Sequence, residues 1–260
     1  MAPDDIAIAA RLLLEARASH RRLAALPARY VPKTTSDAEA ICERMAQGLE
    51  QPIGAWKVGC TDPGTPGKYG LERPFCGQVP LQLIYASEAR VAHADLMRAV
   101  IEPEIVFKLA CDLPPCARPY GNEAVRDAIE AMHLGIEIPE SRLVDDHPHG
   151  ALGMVADQGY AGRLVVGPQV DHWQTLDLPS QAVMVSVNGR CVATGRAARA
   201  MGSPLTALVW LANDRATRGE GLKAGQYIST GSLTGIIPIH PGSSVIADYG
   251  TLGRVELTVE

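Results

Sequence analysis

Apolar positions recur at helical spacing from Ile6 to Leu14, and again after Ser36-Asp37-Ala38-Glu39, which has the Ser-x-x-Glu form of a capping box. The first fifty residues therefore read as two helices. From Trp56 onward the pattern changes to short β-rich runs broken by Gly and Pro, with strands expected at residues 56–59, 101–109, 164–166, 183–187, 227–229, 236–239 and 255–259. Between them, Asn122 is placed to cap a helix reaching about His133, and Ser203-Pro204 to open another ending near Gly219. The stretch 225–260 alternates apolar runs with the turn signals Pro241-Gly242 and Tyr249-Gly250, which suits a meander closing a barrel or sandwich. The expected organisation is α+β: a helical N-terminal segment, residues 1–52, packed on a β-rich domain, residues 53–260.

Composition narrows the class. The 260 residues are 47% hydrophobic and 20% charged, enough apolar material for one substantial core. A formal charge of −5 with scattered basic residues offers no stripe of Lys and Arg to follow a phosphate backbone, so nucleic acid is not an expected partner. No run approaches the roughly 20 apolar residues that span a bilayer, and acidic Asp4 and Asp5 stand where a signal peptide would be basic. A cytoplasmic location is expected. The six cysteines form no C-x-x-C pair and read as reduced packing residues.

Candidate chemistry lies in polar residues set within apolar runs. Glu102 and Glu104 are two apart in Ile101-Glu-Pro-Glu-Ile, so on a strand both carboxylates point to one face. By spacing alone that face is equally compatible with solvent and arginine partners. Their flanks, however, are apolar, and buried carboxylates need a cation or another partner. Glu137 lies in a further apolar run, Leu134-Gly-Ile-Glu-Ile-Pro, and would complete a three-oxygen face of the kind Mg²⁺ or Mn²⁺ prefers. Lys57 sits in Trp56-Lys-Val-Gly, where a buried ammonium needs a carboxylate or an anionic oxygen. Ser229-Thr-Gly-Ser-Leu-Thr-Gly235 has small hydroxyls and glycines whose amides can cradle a carboxylate, and is also the composition of an ordinary turn.

Taken in order, these stretches resemble the 2-keto-4-pentenoate hydratase and 4-oxalocrotonate decarboxylase branch of the fumarylacetoacetate hydrolase superfamily. The matching segments are Trp56-Lys-Val-Gly-Cys-Thr, Ile101-Glu-Pro-Glu-Ile, Gly135-Ile-Glu-Ile-Pro-Glu-Ser-Arg142, Val155-Ala-Asp157, the run from Gly202 to Asn213 and the run from Leu222 to Ser232. The resemblance covers residues 5–259. It implies a mixed β-barrel or roll with peripheral helices, a homo-oligomer, and a divalent cation, Mg²⁺ or Mn²⁺, on Glu102, Glu104 and Glu137. It further implies catalytic roles for Lys57 and Glu72, and a substrate pocket that includes Phe75, Asp157, Gly231 and Ser232.

The activity so implied is that of a metal-dependent lyase on a short unsaturated 2-oxo acid, first a hydratase of 2-hydroxydienoates, with a 4-oxalocrotonate-type decarboxylase as the alternative. Hydratases of the family carry an acidic residue where this chain has Phe75, and decarboxylases an apolar one. The family's Ala-Asp-Asn is here Ala156-Asp157-Gln158. An acylpyruvate hydrolase ranks third, because no His falls where that branch needs one, and a non-catalytic protein binding a metal or a small acid follows. His147 and His149 have no counterpart in the resemblance.

Overall fold

The computed structural model describes residues 1–144 and 148–260; His147 lies outside the described residues. Six α-helices are present among them: α1 (Pro3–Ser19), α2 (Thr35–Gln47), α3 (Thr65–Lys68), α4 (Asn122–Asp127), α5 (Gly150–Ala156) and α6 (Pro204–Thr217). The strands are β1 (Ile53–Gly59), β2 (Phe75–Pro80), β3 (Ile84–Ala86), β4 (Ala89–Val91), β5 (Val100–Leu109), β6 (Ile129–Ile138), β7 (Arg163–Gln169), β8 (Ala182–Val187), β9 (Arg190–Arg196), β10 (Tyr227–Ser229), β11 (Ile237–Pro238), β12 (Ser244–Asp248) and β13 (Arg254–Val259).

The strands form two mixed sheets. The larger runs β2-β1-β10-β5-β6-β7-β3, with β11 added to the start of β5; the smaller runs β4-β13-β12-β8-β9. Their facing apolar side chains make one core, in which Phe107, Ile105, Leu134, Ile136, Val185, Ala247 and Val255 are fully buried. A second cluster brings α1 and α2 (Leu13, Ile41, Met45) against Val155 of α5 and Phe75 at the start of β2. Phe75 is thus held from behind by the N-terminal helices.

Three local expectations are corrected. The cap of α2 is Thr34, not Ser36: Thr34 Oγ1 accepts from the Asp37 N–H at 3.1 Å, and the Asp37 carboxylate accepts from the Thr34 N–H at 3.2 Å. The helix from Asn122 stops at Asp127, because Ile129–Ile138 is drawn into β6, hydrogen-bonded on both sides and buried over nearly its whole length. Pairing within the sheet here overrides local helical spacing. The C-terminal stretch is no meander: β10 inserts parallel to β1 and antiparallel to β5, β11 edges β5, and the β12–β13 hairpin alone continues into the smaller sheet. Central burial of Ile228 and Ser229 fixes β10 in that slot.

Candidate metal centre and cleft

Strand register brings the acids together. Glu102 stands directly opposite Glu137 in the β5–β6 ladder, and Glu104 lies two residues along on the same face. One carboxylate oxygen from each of the three falls within 4.8 Å of the others. Like charges directly opposite on a sheet repel, and here Glu104 and Glu137 are each only 1% exposed. Glu104 is cradled: Oε2 accepts from Ser229 Oγ at 2.6 Å and from the Gly231 N–H at 2.7 Å. Glu137 is not, since neither of its oxygens has a hydrogen-bond partner among the described residues.

Lys57 projects from β1 towards the same spot. Its Nζ donates to the Gly159 carbonyl at 2.9 Å and stands 3.4 Å from Glu137 Oε2, close enough for an ion pair but without hydrogen-bond geometry. Burial works against the Lys57 ammonium, but Glu137, Glu102 and Glu104 outweigh it and hold the group charged above the usual lysine range. Burial also pushes each carboxyl up by more than Lys57 offsets: Glu102 is raised, Glu104 reaches about 7 with Glu102 adding to the effect, and Glu137 lies well above the ordinary value. One ammonium cannot balance two buried carboxylates and the half-buried Glu102. Two Glu137 oxygens without hydrogen bonds among the described residues, in an all-oxygen set, are the donor chemistry of a hard divalent cation, so these residues fit one.

Phe75 packs beside this cluster, with Lys57 Nζ 5.6 Å from its ring centroid. A Cβ on Gly59 would come within 2.2 Å of the ring and one on Gly159 within 2.5 Å. The ring therefore occupies the space that side chains at those two positions would take. Outward from the carboxylates the cleft is lined by Cys60, Tyr69, Arg98, Met154, Tyr160 and Ile236 on one side, and by Thr61, Asp62, Arg199 and Ser232 on the other. Arg199 donates to Asp62 at 2.8 Å, and the nearby Ser232 hydroxyl acts to lower the Glu102 carboxyl, against its burial.

Several residues expected in the substrate pocket are placed differently. Asp157 has no exposed surface; its Oδ2 accepts from the Arg142 N–H at 2.7 Å and its Oδ1 pairs with Arg142 Nε. It buttresses a turn instead of touching the cleft. Gln158, Gly159 and Tyr160 in that turn all have φ between 54 and 60°, a conformation that non-glycine residues hold only when their surroundings impose it. The Asp157–Arg142 pair and the Gln158 side chain, which accepts from the Gln78 N–H at 3.0 Å, impose it here. The Gly231 amide is used up on Glu104, and a Cβ there would meet Thr61 Oγ1 at 2.0 Å in a backbone with φ 112°. Glu72 is exposed in the turn before β2 and is not among the residues lining the cleft. His149 Nε2 accepts from the Leu26 N–H at 2.8 Å, a link to the N-terminal arm.

Three contributors escaped sequence reasoning. The Gly159 carbonyl, Arg199 and Tyr249 carry no local signal. Tyr249, 1% exposed, comes over from the smaller sheet; its hydroxyl lies 2.9 Å from the Glu104 carbonyl and 2.8 Å from the Gly135 carbonyl, which are register partners. A separate cavity lined by Cys42, Arg73, Cys76, Asp214, Arg215 and Arg218 is a structural junction, since its Arg73, Arg215 and Arg218 are already paired with Glu39, Glu43 and Asp214.

Comparison with known proteins gives consistent results. Residues 73–260 match the family described as fumarylacetoacetate (FAA) hydrolase, C-terminal. The chain is 33% identical over 251 residues to the 2-hydroxyhexa-2,4-dienoate hydratase of Comamonas testosteroni, covering 92% of each. It is 28% identical over 251 residues to the 4-oxalocrotonate decarboxylase of Pseudomonas sp. (strain CF600), covering 92% of this chain and 94% of that protein. In three dimensions it superposes on 4-oxalocrotonate decarboxylase from Pseudomonas putida G7, complexed with magnesium and adipate, with a TM-score of 0.91 at 24% identity, over 100% of this chain and 99% of that one.

Proposed function

This chain belongs to the fumarylacetoacetate hydrolase family, and we propose that within it the protein is a divalent-metal-dependent lyase hydrating a short 2-hydroxy-2,4-dienoate of the 2-keto-4-pentenoate type. The observation that carries the reading is the trio Glu102, Glu104 and Glu137 facing Lys57, with neither Glu137 oxygen hydrogen-bonded among the described residues. These three carboxylates would hold Mg²⁺ or Mn²⁺, which when bound supplies Lewis-acid stabilisation to the enolate of a 2-oxo acid. The rest is done by the chain. Lys57 keeps its proton at Nζ, is aimed by the Gly159 carbonyl, and faces the developing negative charge with a preorganised donor. Ser229 and the Gly231 amide fix Glu104 in one orientation. Phe75 and Met154 keep bulk water from the reacting carbons.

A second reading, decarboxylation of a 4-oxalocrotonate-type acid, has one specific observation in its favour: the apolar ring of Phe75 against Lys57. Loss of CO₂ replaces a charged carboxylate by a neutral molecule, and an apolar wall favours that change. An acylpyruvate hydrolase finds less support, since no His of the described residues lines the cleft. Incubating the Mg²⁺-loaded protein with 2-hydroxypenta-2,4-dienoate and with 4-oxalocrotonate, while recording dienol absorbance and CO₂ release separately, tests the proposal. Loss of the dienol without CO₂ is expected. CO₂ from the second substrate alone would replace hydration by decarboxylation, and no turnover with metal bound would leave a binding protein.

A cytoplasmic setting and homo-oligomeric assembly belong to the same proposal. Six free cysteines suit a reducing compartment, and no helix of the described residues is long and apolar enough to cross a membrane. Exposed Met184 on β8 and Val192 on β9 offer apolar surface for a second copy.

A further inference from the structure

Gln158 stands where the family resemblance has Asn, and it is not among the residues lining the cleft. It is 1% exposed, and its backbone is left-handed with φ 54°, a conformation that Asn accepts more readily than Gln. What Gln offers instead is reach. Its Nε2 donates to the Cys42 carbonyl in the middle of α2, and its Oε1 accepts from the Gln78 N–H of β2 at 3.0 Å. One carboxamide thus ties the N-terminal arm to the edge strand of the larger sheet. Asn, shorter by one carbon–carbon bond of about 1.5 Å, falls short of holding both.

The tether acts beside Lys57. In the β1–β2 ladder Lys57 is paired with Gly77, the neighbour of Gln78. A Cβ on Gly77 would come within 1.8 Å of the Gln158 carbonyl oxygen, so the 157–160 turn beds directly on β2 at that point. Gly159, the next residue of the turn, gives its own carbonyl to Lys57 Nζ at 2.9 Å. Arg142 holds the two ends of the turn, at Asp157 and Ala161. The Gln158 carboxamide holds its middle, and the seating of the turn on β2 decides where the Gly159 carbonyl meets the ammonium.

We infer that Gln158 is a positioning residue: its carboxamide, stretched between α2 and β2, sets the Gly159 carbonyl and through it the direction of the Lys57 ammonium. The inference rests on the lyase reading of Lys57. The N-terminal arm then contributes to turnover although none of its residues lines the cleft.

Two variants of the full chain, saturated with Mg²⁺, test this. Gln158→Met keeps the length and loses both hydrogen bonds; Gln158→Asn keeps the carboxamide, suits the left-handed backbone, and carries the test should the first variant fail to fold. In both, kcat on 2-hydroxypenta-2,4-dienoate should fall, by about 10–100-fold in Gln158→Met, with KM and Mg²⁺ affinity within about twofold of the wild type. Val183→Ala, a core truncation in the smaller sheet, lowers stability without touching the turn and should keep kcat. The ¹⁵Nζ resonance of Lys57, assigned by its absence in Lys57→Met and recorded without substrate, should shift in both Gln158 variants and stay in place in Val183→Ala. An unmoved resonance would overturn the inference. So would a kcat within about twofold of the wild type, or a raised KM with kcat kept, which would put Gln158 in contact with substrate. A wild type that turns over neither the dienoate nor 4-oxalocrotonate, while the resonance still shifts in the variants, would sink the lyase reading and leave the positioning of Lys57 by Gln158 standing.

Discussion

Replacing Asp157 by Asn separates a supporting role from a substrate-contacting one. The wild-type carboxylate lies wholly inside the protein with both oxygens on Arg142, whose Nη1 donates in addition to the Ala161 carbonyl at 2.9 Å. Asn is nearly isosteric but neutral, so Arg142 would keep its packing and lose its counter-charge. Breaking one side of a buried pair costs about 3–5 kcal/mol. At about 2–4 °C per kcal/mol for a domain of this size, the melting temperature should fall by about 6–20 °C. The Gly159 carbonyl would loosen with the turn, so kcat should fall while KM for the dienoate changes little. Differential scanning fluorimetry and steady-state kinetics on the Mg²⁺-loaded variant measure both. The double variant Arg142→Met/Asp157→Leu removes both charges together and should recover much of the lost stability. A variant Asp157→Asn that melts within about 2 °C of the wild type but binds substrate tenfold more weakly would refute the reasoning and return Asp157 to the pocket.

Three further outcomes follow from the candidate metal centre and its neighbours. Folded-state values for Glu102, Glu104 and Glu137 are raised, Glu104 to about 7, so their protonated forms favour the metal-free fold below the unfolded carboxylate value, and that contribution fades as pH rises through the folded values. Mg²⁺ at about 100 times its Kd adds about 2.7 kcal/mol, so the Mg²⁺-induced rise in melting temperature should grow between mildly acidic and mildly alkaline buffers; a rise that stays flat with pH would contradict the assignment of these carboxylates. Tyr249→Phe strips the shared donor from the Glu104 and Gly135 carbonyls, at a cost of about 1–3 kcal/mol, and should also weaken Mg²⁺ binding by calorimetry, whereas unchanged affinity would confine Tyr249 to packing. Phe75→Asp places an acid beside Lys57 and should raise the ratio of hydration to decarboxylation measured on the two substrates; an unaltered ratio would remove Phe75 from the choice between them.

The gathering of Glu102, Glu104 and Glu137 was readable from the chain because strands repeat every two residues and because all three are set in apolar runs, where an unexplained carboxylate stands out. Lys57 was readable for the same reason. What could not be read was how distant elements meet. The Gly231 amide looked free for a substrate, yet β10 lies against β5 and spends that amide on Glu104. Asp157 looked like a pocket residue because of its neighbours in sequence, whereas its partner Arg142 lies fifteen residues away across a reversal of the chain. The helix expected to reach His133 failed because hydrogen bonds to β5 and β7 outweigh six residues of helical spacing. Tyr249 reaches the centre from the other sheet, 145 residues from Glu104, and no local pattern encodes such a contact.

The placement of β10 has a consequence for biosynthesis. Lys57 on β1 and the glutamates on β5 are not neighbours until residues 227–229 slide between their strands, so residues 1–226 emerge from the ribosome with Lys57 still apart from the carboxylates. Pairings so remote in sequence form slowly. The three glutamates can meet earlier on the β5–β6 ladder, but the Ser229 and Gly231 donors that orient Glu104 arrive only with β10, so a nascent chain arrested before Tyr227 should bind a divalent ion more weakly than the full chain.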